Sequence, residues 1–459
     1  MAVAPATPSR PLRRPSLGGA GGKQGAVWTV TSSASSASGS VPHTTGTSTF
    51  LRGLRPAALL AEGFGLLPVA KSSDDNEAVF RWRSLRVAYS LIIILGSFGE
   101  AVLSLMRMAE TGVTFFTSVN VMFYSTSLAT SLVFLRMSVS WRDTLATWCK
   151  LERFMTSYNG EPSRLVAQMK TMTFVVLVLA LLEHVLSIVS TVSYVWPCLD
   201  RGGTPLLIEA YFLTKYQKTF TTFRFSFPRA IFLFTLQVIT TFIWNFSDLF
   251  IILVSMGIGA YFRQLNRAME RSKGKIRHEE FWRQKREVYN ALSMLTRITN
   301  DYVGPVVLIS YASNLYFICL QLLVVTKRPP RTTHLHDVYF FYSLVYLIGR
   351  TCVMALIAAD VYQESQKPRS TLFCVPTTSF CREVQRFLMQ VNTDSIALSG
   401  CNFFSIDRSF MLTVAGTIVT YIVILVQFES PTSVEQGATA GTNVTVLACT
   451  CSDIKKFDC

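Results

Sequence analysis

Five ionisable side chains stand inside long apolar stretches of this sequence: Glu100, Glu183, His184, Asp248 and Arg350. Amides accompany them at Asn120, Gln237, Asn245, Asn314 and Gln321. Carboxylates and amides exchange hydrogen bonds with hydroxyl groups, and an aromatic face covers the C–H side of a ring, so such a set suits a polyhydroxylated ligand in a mostly apolar pocket. Trp244, Asn245 and Asp248 combine both requirements within one turn. Tyr342, Tyr346 and Arg350 recur every four residues and make one helical face. The same residues also fit a structural role. Glu183 or Asp248 would pair with Arg350, His184 and Trp244 would fill the interior, and Asn314 and Gln321 would bond between helices. Enzyme chemistry has no support: the five histidines are scattered, and no His-x-x-x-His, Cys-x-x-Cys or Gly-rich phosphate loop occurs. Cys449-Thr450-Cys451 is too closely spaced for a zinc site, so neither metal nor cofactor is expected.

The elements that must position these groups are membrane spans. Of 459 residues half are apolar and only 15% charged, where soluble domains carry about a quarter charged. Ten cysteines in this length exclude a disulfide scaffold. The net charge of +15 sits beside apolar segments, which points to lipid and away from nucleic acid. Residues 1–50 are poor in large apolar side chains and are expected to be a disordered cytosolic N-terminus without a signal peptide. Residues 51–82 contain the run Ala57–Val69, interrupted by Glu62, Gly63 and Gly65, and fit an interfacial or docking helix better than a crossing. Seven later segments reach spanning length, at about 87–106, 113–135, 171–195, 230–256, 303–326, 338–359 and 409–428. The fourth continues to Phe262 and is expected to protrude as one helix.

Lysine and arginine orient the chain. The side of the N-terminus carries well over twice the basic residues of the other, which predicts N-terminus in and C-terminus out. Residues 83–262 then hold spans one to four as a ligand-pocket bundle, 263–302 a cytosolic helical anchor, 303–360 spans five and six, 361–408 a cytosolic loop and anchor helix, 409–428 the seventh helix and 429–459 an extracellular tail. The anchor is expected because Phe281, Val288, Leu292, Leu295 and Ile298, and again Phe380, Val384, Phe387, Leu388 and Val391, repeat at helical spacing among charges. Asn443-Val444-Thr445 is a glycosylation acceptor on the expected outer side, with Cys449, Cys451 and Cys459 beside it. The outer segment Asp200–Phe227 is rich in Phe and Tyr and is placed either to cap a pocket or to form an interfacial belt.

The last span ends Thr420-Tyr421-Ile422-Val423-Ile424-Leu425-Val426-Gln427-Phe428. It resembles the Thr-Tyr, five apolar, Gln-Phe signature that closes the insect gustatory receptors. Ala358-Ala359-Asp360 before Glu364-Ser365, Tyr342-Ser343-Leu344 before Leu347-Ile348-Gly349-Arg350, Ala397-Leu398-Ser399-Gly400 before Phe403-Phe404, and Trp244-Asn245-Phe246-Ser247-Asp248 resemble the sugar-receptor, trehalose-receptor-like branch. The resemblance runs from about residue 51 to Phe428. It implies an all-α polytopic membrane protein of the insect chemoreceptor channel fold: a homo- or heterotetrameric, sugar-gated, non-selective cation channel in the plasma membrane of chemosensory neurons. Seventh helices would line its pore, placing Ile424, Gln427 and Phe428 there. Glu183, His184, Trp244, Asn245, Asp248, Tyr342, Tyr346 and Arg350 are the residues expected to meet the sugar.

The rival from another class is a seven-helix G-protein-coupled receptor. Charge bias opposes it, Tyr194-Val195-Trp196 stands where an Asp-Arg-Tyr-like triplet would, and the last span lacks Asn-Pro-x-x-Tyr. A sugar transporter would show repeated halves with interrupted helices, and no such repeat is visible.

Overall fold

The computed structural model describes residues 48–71, 78–162, 164–196, 199–326 and 334–428. The expected disordered stretch up to residue 47, the glycosylation acceptor at Asn443 and the tail cysteines lie outside them. The chain is helical apart from one small hairpin, β1 (Val69–Lys71) paired antiparallel with β2 (Ala78–Phe80).

Helix α1 (Thr49–Gly63) begins two residues inside the stretch expected to be disordered. Ser48 caps it, and Phe50, Leu54, Ala57 and Ala61 bury one face. A Cβ at Gly53 would stand 2.5 Å from the Met169 sulfur, so only glycine allows α1 to press this closely on its neighbour. Glu152 locks the start of α1 to the bundle: its carboxylate accepts from Ser48 Oγ, from the Thr49 amide at 2.7 Å and from Tyr261 OH at 2.6 Å.

Helices α2 (Leu85–Thr111), α3 (Phe115–Val139), α5 (Leu165–Val195), α8 (Phe227–Glu270), α9 (Glu279–Thr326) and α10 (His334–Gln366) are, among the described residues, long and apolar enough to cross a membrane. The turn from α2 to α3 is made by Gly112, at φ +90°, and closed by a capping box between Thr114 and Thr117. No apolar run marks Trp141–Asn159, yet it is helix α4: Trp141, Trp148, Glu152 and Met155 are buried at helical spacing, while Arg142, Lys150 and Arg153 are exposed. After α5 the chain forms α6 (Leu199–Lys215), bent at Gly203, and the short α7 (Gln217–Phe220), the two elements of the aromatic segment.

Helix α8 is unbroken over 44 residues, roughly 66 Å at 1.5 Å per residue and about twice a bilayer core. It is buried around its circumference from Asn245 to Ser255, with α10, α9, α5 and α3 packed about it. Helix α9 is 48 residues long and joins the amphipathic 277–302 stretch to the fifth apolar run without interruption. Beyond the apolar part, α8 and α9 meet α11 (Pro368–Phe373) and α12 (Arg382–Thr393) in a platform. Val384, Phe387 and Val391 of α12 are buried there, and the Tyr289 ring lies against Phe262 and Phe387. Arg286 Nε reaches Glu383 at 2.7 Å and Arg386 reaches it at 2.8 Å. Burial pushes the Glu383 carboxyl up, but the bonds and charges of Arg286 and then Arg386 outweigh it and hold it below the usual carboxylate range.

Residues 397–406 connect this platform to α13 (Arg408–Phe428). The Ser399 amide donates to Asn300 Oδ1 at 2.7 Å and Asn300 Nδ2 donates to Ser399 Oγ at 2.9 Å. A bridge pairs Ser399 with Ser405. Phe404 stacks on Phe410 at 4.5 Å, and both rings meet Tyr311 edge-on.

Candidate ligand-binding site

Asp248 on α8 and Arg350 on α10 meet at the centre of the bundle, with Arg350 Nε 2.7 Å from Asp248 Oδ2 and both side chains almost wholly buried. Helix α9 supplies the remaining partners one turn apart. Ser310 Oγ donates to Asp248 Oδ1, and Asn314 Nδ2 donates to Asp248 Oδ2 at 2.9 Å. Asn245 Oδ1 accepts from Arg350 and from Tyr346 OH at 2.9 Å, while Trp244 Nε1 donates to Asn314 Oδ1 at 2.9 Å. The guanidinium carbon lies 4.7 Å from the Trp244 ring centre and 5.4 Å from that of Tyr346. Five of the sequence-selected residues, Trp244, Asn245, Asp248, Tyr346 and Arg350, thus form one network spanning three helices. A buried pair needs its hydrogen-bonding positions filled; both carboxylate oxygens are engaged, while Arg350 Nε meets Asp248 by charge and makes no hydrogen bond of its own among the described residues. Asp248 is 0% exposed.

Glu183, His184 and Tyr342 lie on the α5–α10 side. Glu183 accepts from Ser343 Oγ at 2.6 Å, and Gln321 Nε2 donates to the same hydroxyl at 3.2 Å. Tyr342 stacks on Tyr346 and donates to the Leu179 carbonyl at 2.9 Å. His184 Nε2 is buried without a hydrogen-bond partner among the described residues.

An open space lies elsewhere, in a partly open cavity of about 250 Å³ bordered by α2, α3, α6, α7 and α8. None of the eight selected residues lines it. Its walls carry Glu100, Asn120 and Gln237, three of the polar groups that stand out within apolar runs, together with the aromatic rings of Phe123, Tyr124 and Tyr216. Hydroxyls of Ser104, Thr214 and Thr219 and the cations Arg107 and Lys215 complete it. Thr219 Oγ1 donates to Glu100 at 3.3 Å, and Tyr216 OH donates to Gln237 Oε1 at 2.6 Å. The aromatic segment therefore closes the cavity through α6 and α7. In the sequence Arg107, Lys215 and Thr219 carry no mark of their own, because they sit at the ends of apolar runs or between them. Glu100 is the residue whose setting gives the place away.

The cavity and the buried network touch through aromatic rings. Phe123 of the cavity wall meets Trp244 edge-on at 6.3 Å, and Trp244 packs against Phe317 at 4.9 Å. Lys215 Nζ donates to Ser187 Oγ on α5 at 3.1 Å, one turn from Glu183 and His184. The geometry is an aromatic-walled polar pocket resting on a charged core.

On α13, Ile424 is 43% exposed, and Thr420 Oγ1 donates to the Gly416 carbonyl at 2.9 Å. The helix continues to Phe428, while the side chains of Tyr421, Gln427 and Phe428 lie outside the description. Among the described residues no group of His, Cys, Asp and Glu is arranged to hold a metal.

Comparison with known proteins places this architecture. The insect olfactory receptor OR5 from Machilis hrabei shares the fold, with a TM-score of 0.59 in complex with eugenol and 0.56 in a second structure. Identity is 14%, over 82% of this chain and 97% of that one. The Drosophila melanogaster gustatory receptor for sugar taste 64f is 34% identical over 376 residues, 81% of this chain and 79% of the relative. Gustatory receptor 5a for trehalose, from the same fly, is 31% identical over 83% of this chain and 85% of its own. A family model described as Trehalose receptor matches residues 33–437, a span that includes every described helix. With these relatives, a fold shared with an insect olfactory receptor and a family model over nearly all of its length, the chain belongs to the trehalose receptor family of insect gustatory receptors.

Proposed function

We propose that the chain is a sugar-gated, non-selective cation channel of the plasma membrane of chemosensory neurons. It assembles as a tetramer, crosses the membrane seven times from a cytosolic N-terminus to an extracellular C-terminus, and lines its pore with α13. The observation that carries the reading is the cavity: a carboxylate, three amides and several hydroxyls distributed among three aromatic rings. These are the groups a polyhydroxylated ring requires, in a chain whose relatives are named for sugar taste and trehalose. In this proposal the sugar occupies the cavity, and Phe123 and Trp244 pass its presence to the Asp248–Arg350 core. Glu183, His184 and Tyr342 form the adjoining polar strip.

The test is to express the chain in a non-neuronal cell and record sugar-evoked currents from excised patches without nucleotides. Currents that persist support a ligand-gated channel. Currents that require GTP would assign the chain to a metabotropic mechanism instead.

A further inference from the structure

Three charged side chains line the cavity without neutralising one another. Glu100 is bonded to the Thr219 hydroxyl, Arg107 to the Thr222 hydroxyl and Lys215 to the Ser187 hydroxyl; among the described residues none of the three pairs with an opposite charge. This contrasts with the network beneath, where Asp248 and Arg350 are matched. Glu100 stands inside an apolar run, where a charge is costly unless something compensates it. A neutral sugar supplies hydroxyl dipoles but no charge, so it leaves the compensation incomplete.

The charges are also ordered. Glu100 and Arg107 lie seven residues apart on α2, hence on one face and about 10 Å apart along the axis. Lys215 sits with Arg107 among the cavity's cations, and Gln237 and Tyr216 offer neutral bonding groups. A molecule carrying an ammonium at one end and a carboxylate at the other would place the first on Glu100 and the second toward Arg107 and Lys215. Charge-assisted contacts of about 2.8 Å would hold such a molecule at each end. Its net charge is zero, so entry adds none to the pocket. The volume of about 250 Å³ equals the share of roughly eight waters, enough for a small amino acid.

We propose that the cavity also accepts small zwitterions, free α-amino acids, in competition with sugar. Only the competition rests on the cavity being the sugar site; amino-acid binding stands on the charge arrangement. The experiment uses the purified full chain in lipid nanodiscs and follows its thermal unfolding with trehalose, L-alanine, and two half-ligands, propionate and ethylammonium. L-alanine is expected to stabilise the chain and to be displaced by trehalose. Each half-ligand is expected to bind at least about tenfold more weakly, since each forfeits one charge-assisted bond. Glu100→Gln is expected to weaken L-alanine by a similar factor while leaving propionate unchanged. Trehalose binding without any effect of L-alanine overturns this inference and leaves the sugar reading intact. L-alanine binding that is indifferent to Glu100→Gln, or no stronger than propionate, overturns it as well. L-alanine binding of the expected pattern without trehalose binding sustains it and removes the sugar reading.

Discussion

Asp248 and Arg350 neutralise each other out of reach of water, and each is also bonded to uncharged partners on a second or third helix. Removing one partner of such a pair leaves the other charge stranded, which costs about 3–5 kcal/mol, whereas replacing both by apolar groups of similar volume is often neutral. Asp248→Asn should therefore lower the melting temperature and surface expression sharply, and Asp248→Leu with Arg350→Met should recover much of the loss. A stable Asp248→Asn protein with a shifted sugar response would instead make Asp248 a ligand group. Glu100 is held differently, by a single hydroxyl at 3.3 Å on the wall of a cavity. Glu100→Gln should leave stability near that of the parent and raise the half-maximal sugar concentration about tenfold or more, the loss of one bond to a charged acceptor. Dose–response curves with surface-expression controls measure it. The sequence discloses all these polar residues through one rule, that an ionisable group inside an apolar run has a purpose. It does not disclose which of them share an open space, because that depends on how α6 and α7 fold back over α2, α3 and α8.

Helices were legible to the degree that their apolar runs were continuous. The α8 run exceeds a bilayer, and the helical spacing in 277–302 and 379–393 is strong, so long helices and a platform follow from pattern alone. Helix α4 was not legible in that way, since its buried face is built on Trp141, Trp148 and a hydrogen-bonded Glu152. The 397–406 segment is legible in the sequence only as a family pattern; its physical basis is steric. A Cβ at Gly400 would stand 2.5 Å from the Phe404 ring, which stacks on Phe410 at the start of α13. Gly400→Ala should displace that ring and loosen the joint between platform and α13. The expected result is a smaller maximal current with sugar binding to the purified protein unchanged; weakened binding would move the effect into the bundle. Within the platform, Glu383 is held below the usual carboxylate range by Arg286 and Arg386. Its contribution is complete above the unfolded carboxyl value of about 4.3 and is lost as pH falls through the lower native one. Glu383→Gln should therefore destabilise at neutral pH, with the difference shrinking under acid, as melting curves across pH would record.

At the scale of the whole molecule, α13 stands apart from the rest. Helix α8 is buried on every side through its central turns, whereas Leu412, Val419, Val423 and Ile424 of α13 are 77%, 62%, 47% and 43% exposed. Its inward side, through Phe410, Met411 and Ile418, packs on the bundle. The exposed side is apolar with threonines, and the hydroxyls of Thr413, Thr417 and Thr420 are spent on carbonyls one turn earlier. With its hydroxyls bonded within the helix this surface is apolar in effect, and under the proposed assembly it is the side available to other copies. Ile424, Gln427 and Phe428, at i, i+3 and i+4, are the residues proposed to share the pore face. Apolar rings on such a face gate by dewetting, and a ring of neutral amides replaces ion hydration without demanding one ion. Ile424→Cys is therefore expected to form covalent dimers under mild oxidation within a complex whose native mass is that of a tetramer, and its modification by extracellular thiol reagents should alter the sugar-evoked current. A monomeric complex, or a cysteine modified at one rate with and without sugar and without effect on current, would remove α13 from the pore.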